Sequence, residues 1–248
     1  MNPFDRPFVI LILAFAILFL SGQIGDQLRK RLHLLKDEDR DDFGVVLGAT
    51  LTMLGLLIGF TFSMAVSRYD QRKNYEEAEA NAIGTEYVRA DLLPASDASK
   101  VRDLLRKYTD QRLLFYTTDN SQEIAKINAD TAELQNQLWA AVRPAAAAPT
   151  PLLALAISGM NDVLNSQGYT QAAWWNRIPV AAWLLMLAIA VCCNFLIGYG
   201  ARRRTFVILP VAVSISFFLI SDIDSPRGGE IRVVPQNLIS LSQSLRAQ

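Results

Sequence analysis

The residues with the most to say about chemistry lie in one charge-free run. Gly44 and Gly48, and again Gly55 and Gly59, are four apart, with Thr52, Leu56, Phe60 and Ser63 among them. On a helix turning ~100° per residue, Thr52, Gly55, Leu56, Gly59 and Ser63 share one face, and Phe60 flanks it. Small residues at this spacing let two helix backbones approach closely. The same face has a second use. Small and hydroxyl groups leave room for water, while Leu56 and Phe60 supply an apolar constriction. The two uses are compatible if several copies of the helix surround an axis.

Two polar groups bracket this chemistry. Arg68, Asp70, Arg72 and Lys73 follow the run directly. They read either as anchors, stems in the apolar layer and heads in water, or as a charged vestibule. Much later come Asp222 and Asp224, then a turn through Ser225, Pro226, Arg227, Gly228 and Gly229. Two carboxylates are too few for a closed calcium site; pairing with Arg72, Lys73 or Arg227 is the simpler role.

Enzyme signatures are missing. One histidine, His33, and two cysteines, Cys192 and Cys193, cannot build a His/Cys metal centre. Adjacent cysteines on a helix point ~100° apart and cannot bridge each other. There is no glycine-rich phosphate loop and no nucleophile elbow. No catalytic residue, cofactor or metal is therefore expected. Lys and Arg balance Asp and Glu at 24 each, which gives no pointer to nucleic acid.

The charges are segregated. Pro7–Ile24, Phe43–Val66, Ile178–Tyr199 and Thr205–Ser221 contain no Asp, Glu, Lys or Arg, and the rest of the chain is charge-rich. An ion costs too much in hydrocarbon, so this is the pattern of a membrane protein. A bilayer core of ~30 Å takes about 20 residues of helix. The fourth stretch is short and contains Pro210. The first reads as a retained helix, since no small-x-small cleavage site follows it.

Between the second and third stretches the periodicity is helical. One long helix is expected from about Phe43 to Leu93, with Tyr69, Ala80, Ile83, Tyr87 and Leu92 on its apolar face. Pro94-Ala95-Ser96-Asp97 should end it and cap a helix running to about Tyr116, with Val101, Leu104, Leu105, Tyr108 and Phe115 inward. Ser121 should start another, whose Ile124, Ile127, Thr131, Leu134, Leu138 and Ala141 follow a heptad-like spacing. A linker over Pro144–Pro151 and a helix from Leu152 to Ser166, ended by Gly168, complete the segment. Trp174, Trp175 and Arg177 stand where an interface belt belongs, ahead of Ile178-Pro179.

The expected fold class is all-α: an integral membrane protein with four transmembrane helices plus a helical soluble domain. Residues 1–66 hold the first two spans, 67–176 the soluble domain, 177–221 the last two spans and 222–248 an extended or amphipathic tail. Orientation is almost balanced. Arg29, Lys30, Arg31, Lys36, Arg40, Arg202, Arg203 and Arg204 on one side face Arg6, Arg68, Arg72, Lys73, Arg177, Arg227 and Arg232 on the other.

Several of these segments carry a resemblance. Gly59-Phe60, then Arg68-Tyr69 and Gln71-Arg72, resemble the second helix of bestrophin channels, where a Gly-Phe pair sits in a hydrophobic neck. Asn161-Asp162 with Ile178-Pro179, and Asp222–Gly228, resemble the segments leading into the third span and following the fourth. A closer similarity is to the bacterial bestrophin-like family. It is carried by Gly59–Ala65, Arg68-Tyr69-Asp70, Glu79–Thr85, Leu92-Leu93-Pro94, Leu138-Trp139, Arg177-Ile178-Pro179 and Asp222–Arg232, and it extends over Leu47–Leu245.

The resemblance implies a multi-pass protein of the bacterial inner membrane, assembled as a homopentamer around an axial path for permeant ions. Thr52, Leu56 and Phe60 would form the neck, with Gly55, Gly59 and Ser63 beside them. The helical domain and both termini would be cytoplasmic, against the marginal charge count. Gly228-Gly229-Glu230-Ile231 replaces the acidic run of calcium-activated relatives, which removes the basis for a calcium clasp. Leu56 stands where an aromatic residue is common, which widens the constriction. Ion selectivity does not carry over. The alternative is a membrane-anchored scaffold or sensor without a pore, whose domain Tyr69–Gly168 binds a partner.

Overall fold

A computed structural model describes residues 6–31, 37–143, 150–200 and 207–247. Among them every regular element is helical: α1 (Pro7–Arg31), α2 (Asp37–Arg89) with a 3-10 turn (Ala90–Leu92), α3 (Ala95–Thr117), α4 (Ser121–Val142), α5 (Pro151–Trp175), α6 (Val180–Gly200), α7 (Ile208–Asp224) and α8 (Gln236–Ala247). His33, the linker residues 144–149 and Arg202–Arg204 lie outside the described residues. The chain divides into two compact units, Met1–Tyr69 with Arg177–Arg232 and Asp70–Asn176 with Val233–Gln248, and α2 runs unbroken from one to the other.

The first unit holds α1, α6, α7 and the first part of α2. Its core gathers Ala14, Leu18, Leu54, Ala65, Trp183, Met186, Ala190, Cys193, Phe217 and Ile220. The Trp183 and Phe217 rings meet edge-on, with centroids 5.9 Å apart. The tight helix seam is between α1 and α6. A Cβ added to Gly198 would lie 2.0 Å from the Gly22 carbonyl oxygen, and one on Gly25 would lie 2.2 Å from that of Phe195. Ser21 Oγ donates to the Val191 carbonyl at 2.8 Å across the same seam. Gly198→Ala is therefore expected to part α1 from α6 and to cost about 1–3 kcal/mol, measured as a lower Tm of the detergent-solubilised protein.

Three helical stretches among the described residues are long and apolar enough to cross a bilayer: Pro7–Arg31, Asp41–Leu92 and Pro151–Gly200. The apolar part of the last is α6, after the break at Asn176–Pro179. Helix α7 has 17 residues, about 26 Å of helix against a ~30 Å hydrocarbon core. Length alone thus leaves the fourth span uncounted.

The second unit packs α3, α4, α5, α8 and the later part of α2. The inward residues expected on α3 are all buried, as are Ile127, Thr131, Leu138 and Ala141 on α4, where Asn120 accepts the Gln122 N–H as N-cap. Two expectations need correction. Helix α3 starts from Pro94 with no side-chain cap; neither Ser96 nor Asp97 serves. Gly168 does not end α5, which continues to Trp175. A helical glycine costs only about 1 kcal/mol. Burial of Thr170, Ala173 and Trp174 beyond it exceeds that cost, and Trp174 packs against Phe115 and Tyr116 at centroid distances of 4.9 and 5.4 Å. Of the two forms expected for the tail, its last part takes the amphipathic one: α8, docked on the second unit by Leu238 and Leu245.

Candidate functional site

Helix α2 has two different faces within the first unit. Leu54, Thr61 and Ala65 are buried, with Ile58 partly so, at spacings that keep them on one side. Half a turn away Thr52, Gly55, Leu56, Gly59, Phe60 and Ser63 are all exposed. Leu56 is 56% and Phe60 63% accessible. A Cβ added at Gly44, Gly48, Gly55 or Gly59 would meet nothing within 4 Å. The close helix seam that the glycine spacing suggested is therefore not made by these glycines within the chain; in the first unit Gly25 and Gly198 make the close seam, between α1 and α6. The hydroxyls along α2 bond inside the helix. Thr52 Oγ1 donates to the Gly48 carbonyl at 2.9 Å and Thr61 Oγ1 to that of Leu57 at 2.7 Å. The outward face thus presents methyl, aromatic and bare backbone surface, with Ser63 as its polar end.

The charges after this face separate. Asp70 and Lys73 are exposed, Arg68 is half-buried and Arg72 is 1% accessible. Arg68 lies 3.6 Å from the Asp224 carboxylate. That carboxylate also accepts the Ile178 N–H at 3.1 Å, and the Arg177 guanidinium donates to the Asp224 carbonyl. Asp224 therefore ties the approach to α6 to the end of α7. Asp222 holds the turn instead. Its carboxylate accepts the Glu230 N–H at 2.7 Å and the Ile231 N–H at 2.9 Å. A Cβ on Gly229 would stand 2.2 Å from the Asp222 carbonyl oxygen, so the turn needs glycine there. Arg227 is half-buried beside it. The partners expected for these aspartates were Arg72, Lys73 and Arg227; Arg68 and backbone amides take up the contacts just described.

In the second unit the inward face of α2 is charged. Arg72, Glu76, Glu79 and Glu86 are all buried along with Ala80, Ile83, Tyr87 and Ala90. Glu79 pairs with Arg112 of α3, both side chains wholly inaccessible, and accepts from Tyr116 and Thr170 at 3.3 and 3.1 Å. Arg112 also lies 4.5 Å over the Phe115 ring. Burial works to discharge this guanidinium, yet the Glu79 charge outweighs it and raises the Arg112 pKa. Burial and the same carboxylate push the Tyr108 and Tyr116 phenols up. Glu76 accepts the Leu238 N–H at 2.9 Å and the Asn237 amide at 2.7 Å, capping α8 from outside it. The apolar face expected for this stretch omits these acids; Glu79 enters only through the Glu79–Thr85 resemblance. The signal was there: positions 72, 76, 79, 83, 86 and 90 alternate by four and three, and four of them are charged.

Among the described residues no three His, Cys, Asp or Glu side chains gather as metal ligands. The arrangement offers surface and electrostatics: an outward apolar face on α2, and charges that lock helix ends.

Comparisons with known proteins agree on the fold. The Bestrophin-like domain matches residues 9–238. No curated protein sequence matches significantly. Crystal structures of a bacterial bestrophin homolog from Klebsiella pneumoniae superpose over nearly the whole chain. One point variant gives a TM-score of 0.64 at 14% identity, covering 97% of this chain and 98% of its own. A second gives 0.65 at 15% identity, covering 97% of each. A further structure of that homolog gives 0.62 at 15%, covering 96% and 95%. With the match spanning all but the two ends of the sequence, the chain belongs to the bestrophin-like family.

Proposed function

We propose that the chain is one subunit of an oligomeric ion channel, a homopentamer in the bacterial inner membrane. Four helices cross the bilayer, at Pro7–Ile24, Phe43–Val66, Ile178–Tyr199 and Thr205–Ser221. Residues 67–176 form the cytoplasmic domain, and the tail 222–248 lies on the same side. Thr52, Leu56 and Phe60 make the neck; Gly55, Gly59 and Ser63 flank it. Arg68, Asp70, Arg72 and Lys73 set the field below it, and Asp222, Asp224 and Arg227 the turn that supports it.

The observation that carries this reading is the unpartnered face of α2. Only 6% of its apolar window is buried within the chain, against 28% for the other two stretches. A helix left this bare needs lipid, water or further copies of itself against it. Glycines with open space at every Cβ suit copies that crowd around an axis, and Leu56 with Phe60 suits a constriction that passes ions only when wetted. Membership of the bestrophin-like family supports the same reading.

The test is purified protein in liposomes, with particle symmetry measured in parallel. Ion flux from five-fold particles is expected. Monomers or dimers without flux would sink the channel and leave a membrane-anchored scaffold or sensor.

A further inference from the structure

Two carboxylates on the buried face of α2 receive opposite treatment. Glu79 has a guanidinium, a phenol and a hydroxyl around it. Glu86, two turns later, is equally inaccessible, but among the described residues neither of its oxygens has a hydrogen-bond partner. The neighbour across from it is bare backbone. A Cβ on Gly159 of α5 would lie 2.1 Å from Glu86 Oε2 and 2.5 Å from Arg89 Nη1. Helix α5 therefore closes on Glu86 at Gly159, where it has no side chain.

The charges around Glu86 do not compensate it. Arg89, on its own helix, favours the ion, and Asp162 of α5 opposes it. The α3 arginines are engaged elsewhere: Arg102 with Asp91, and Arg106 with Asp103, Tyr87 and the Leu245 carbonyl. Arg112 belongs to Glu79, and Glu76 caps α8. A carboxylate held dry without donors is strongly disfavoured against its neutral acid. Burial pushes Glu86 from 4.5 up to about 8; Arg89 pulls it back and Asp162 adds to the rise.

We propose that Glu86 is a proton-operated latch between α2 and α5: as the neutral acid it lets Gly159 close against it, and as the anion it draws in water and lifts α5 over Gly159–Asp162. Because α2 also carries the outward face of the first unit, the latch gives a channel built on that helix a response to pH. That coupling rests on the function proposed above, whereas the titration of Glu86 does not.

The sign follows from the direction of the shift. An acid whose folded pKa lies above its unfolded one contributes stability in full below 4.5 and loses it as pH rises toward about 8. In the full-length protein in detergent, the wild-type Tm should fall across that window relative to Glu86→Gln and run parallel to it above. Infrared difference spectra should show a buried protonated carboxyl vanishing near pH 8 in the wild type and absent in Glu86→Gln. Asp162→Asn should move that midpoint down and Arg89→Gln should move it up, shifts that a merely structural residue would not produce. A midpoint near the ordinary 4.5, or a band that survives in Glu86→Gln, overturns the latch. Flux absent at every pH with the band titrating as described would instead defeat the channel and leave the latch standing.

Discussion

Phe60→Ala is expected to raise ion flux through the reconstituted protein by about tenfold, and Leu56→Ala by a smaller factor. Both side chains stand on the exposed face of α2, 63% and 56% accessible in the single chain. In the ring of copies proposed above they would meet across the axis, where an apolar constriction would hold water out until it is forced apart. Cutting a benzyl group back to a methyl widens and wets that gap. A tenfold gain corresponds to ~1.4 kcal/mol off the barrier. Thr52→Ala should change flux far less, since its hydroxyl is already bonded to the Gly48 carbonyl. Radiotracer or fluorescence flux from equal amounts of protein measures all three. If neither Leu56→Ala nor Phe60→Ala alters flux, this face looks at lipid and the neck lies elsewhere.

The second large effect belongs to the other unit and needs no assumption about conduction. Arg112→Leu should cost about 3–5 kcal/mol, because it leaves the Glu79 carboxyl wholly inaccessible without its guanidinium partner. Tyr116 and Thr170 still donate to it, but neither carries charge. Removing both ions, as Glu79→Leu with Arg112→Leu, should recover much of the loss, since a buried pair often breaks even against apolar residues of similar size. Thermal unfolding of the two variants decides the matter. A double variant no better than the single one would mean that the pair is worth more than its desolvation.

Much of the fold was legible because it is local. The long helix was expected from about Phe43 to Leu93 and is found as Asp37–Arg89 plus a 3-10 turn to Leu92, since no proline interrupts it. The inward faces of α3 and α4 followed from spacing alone. What could not be read is what depends on partners distant in sequence. Glu79 and Arg112 are 33 residues apart, and Glu76 and Leu238 are 162 apart. No window of periodicity contains both members of either pair, so spacing alone does not mark these acids as buried. The extension of α5 beyond Gly168 has the same origin: the aromatic contacts of Trp174 with Phe115 and Tyr116 outweigh a local weakness. At the proposed neck the sequence named the face, and the folded chain shows that face bare. Which molecules cover it is a property of the assembly, not of one chain.

Helix α8 is fastened at both ends by opposite charges, the Glu76 carboxylate on the Leu238 N–H and the Arg106 guanidinium on the Leu245 carbonyl. It is also made after every helix it touches. During synthesis α2 and α3 must wait for it, with Glu76 lacking the amides that later satisfy it. A nascent chain therefore carries the second unit unfinished after every helix of the first has been made, so completion of that unit waits on the last stretch of chain.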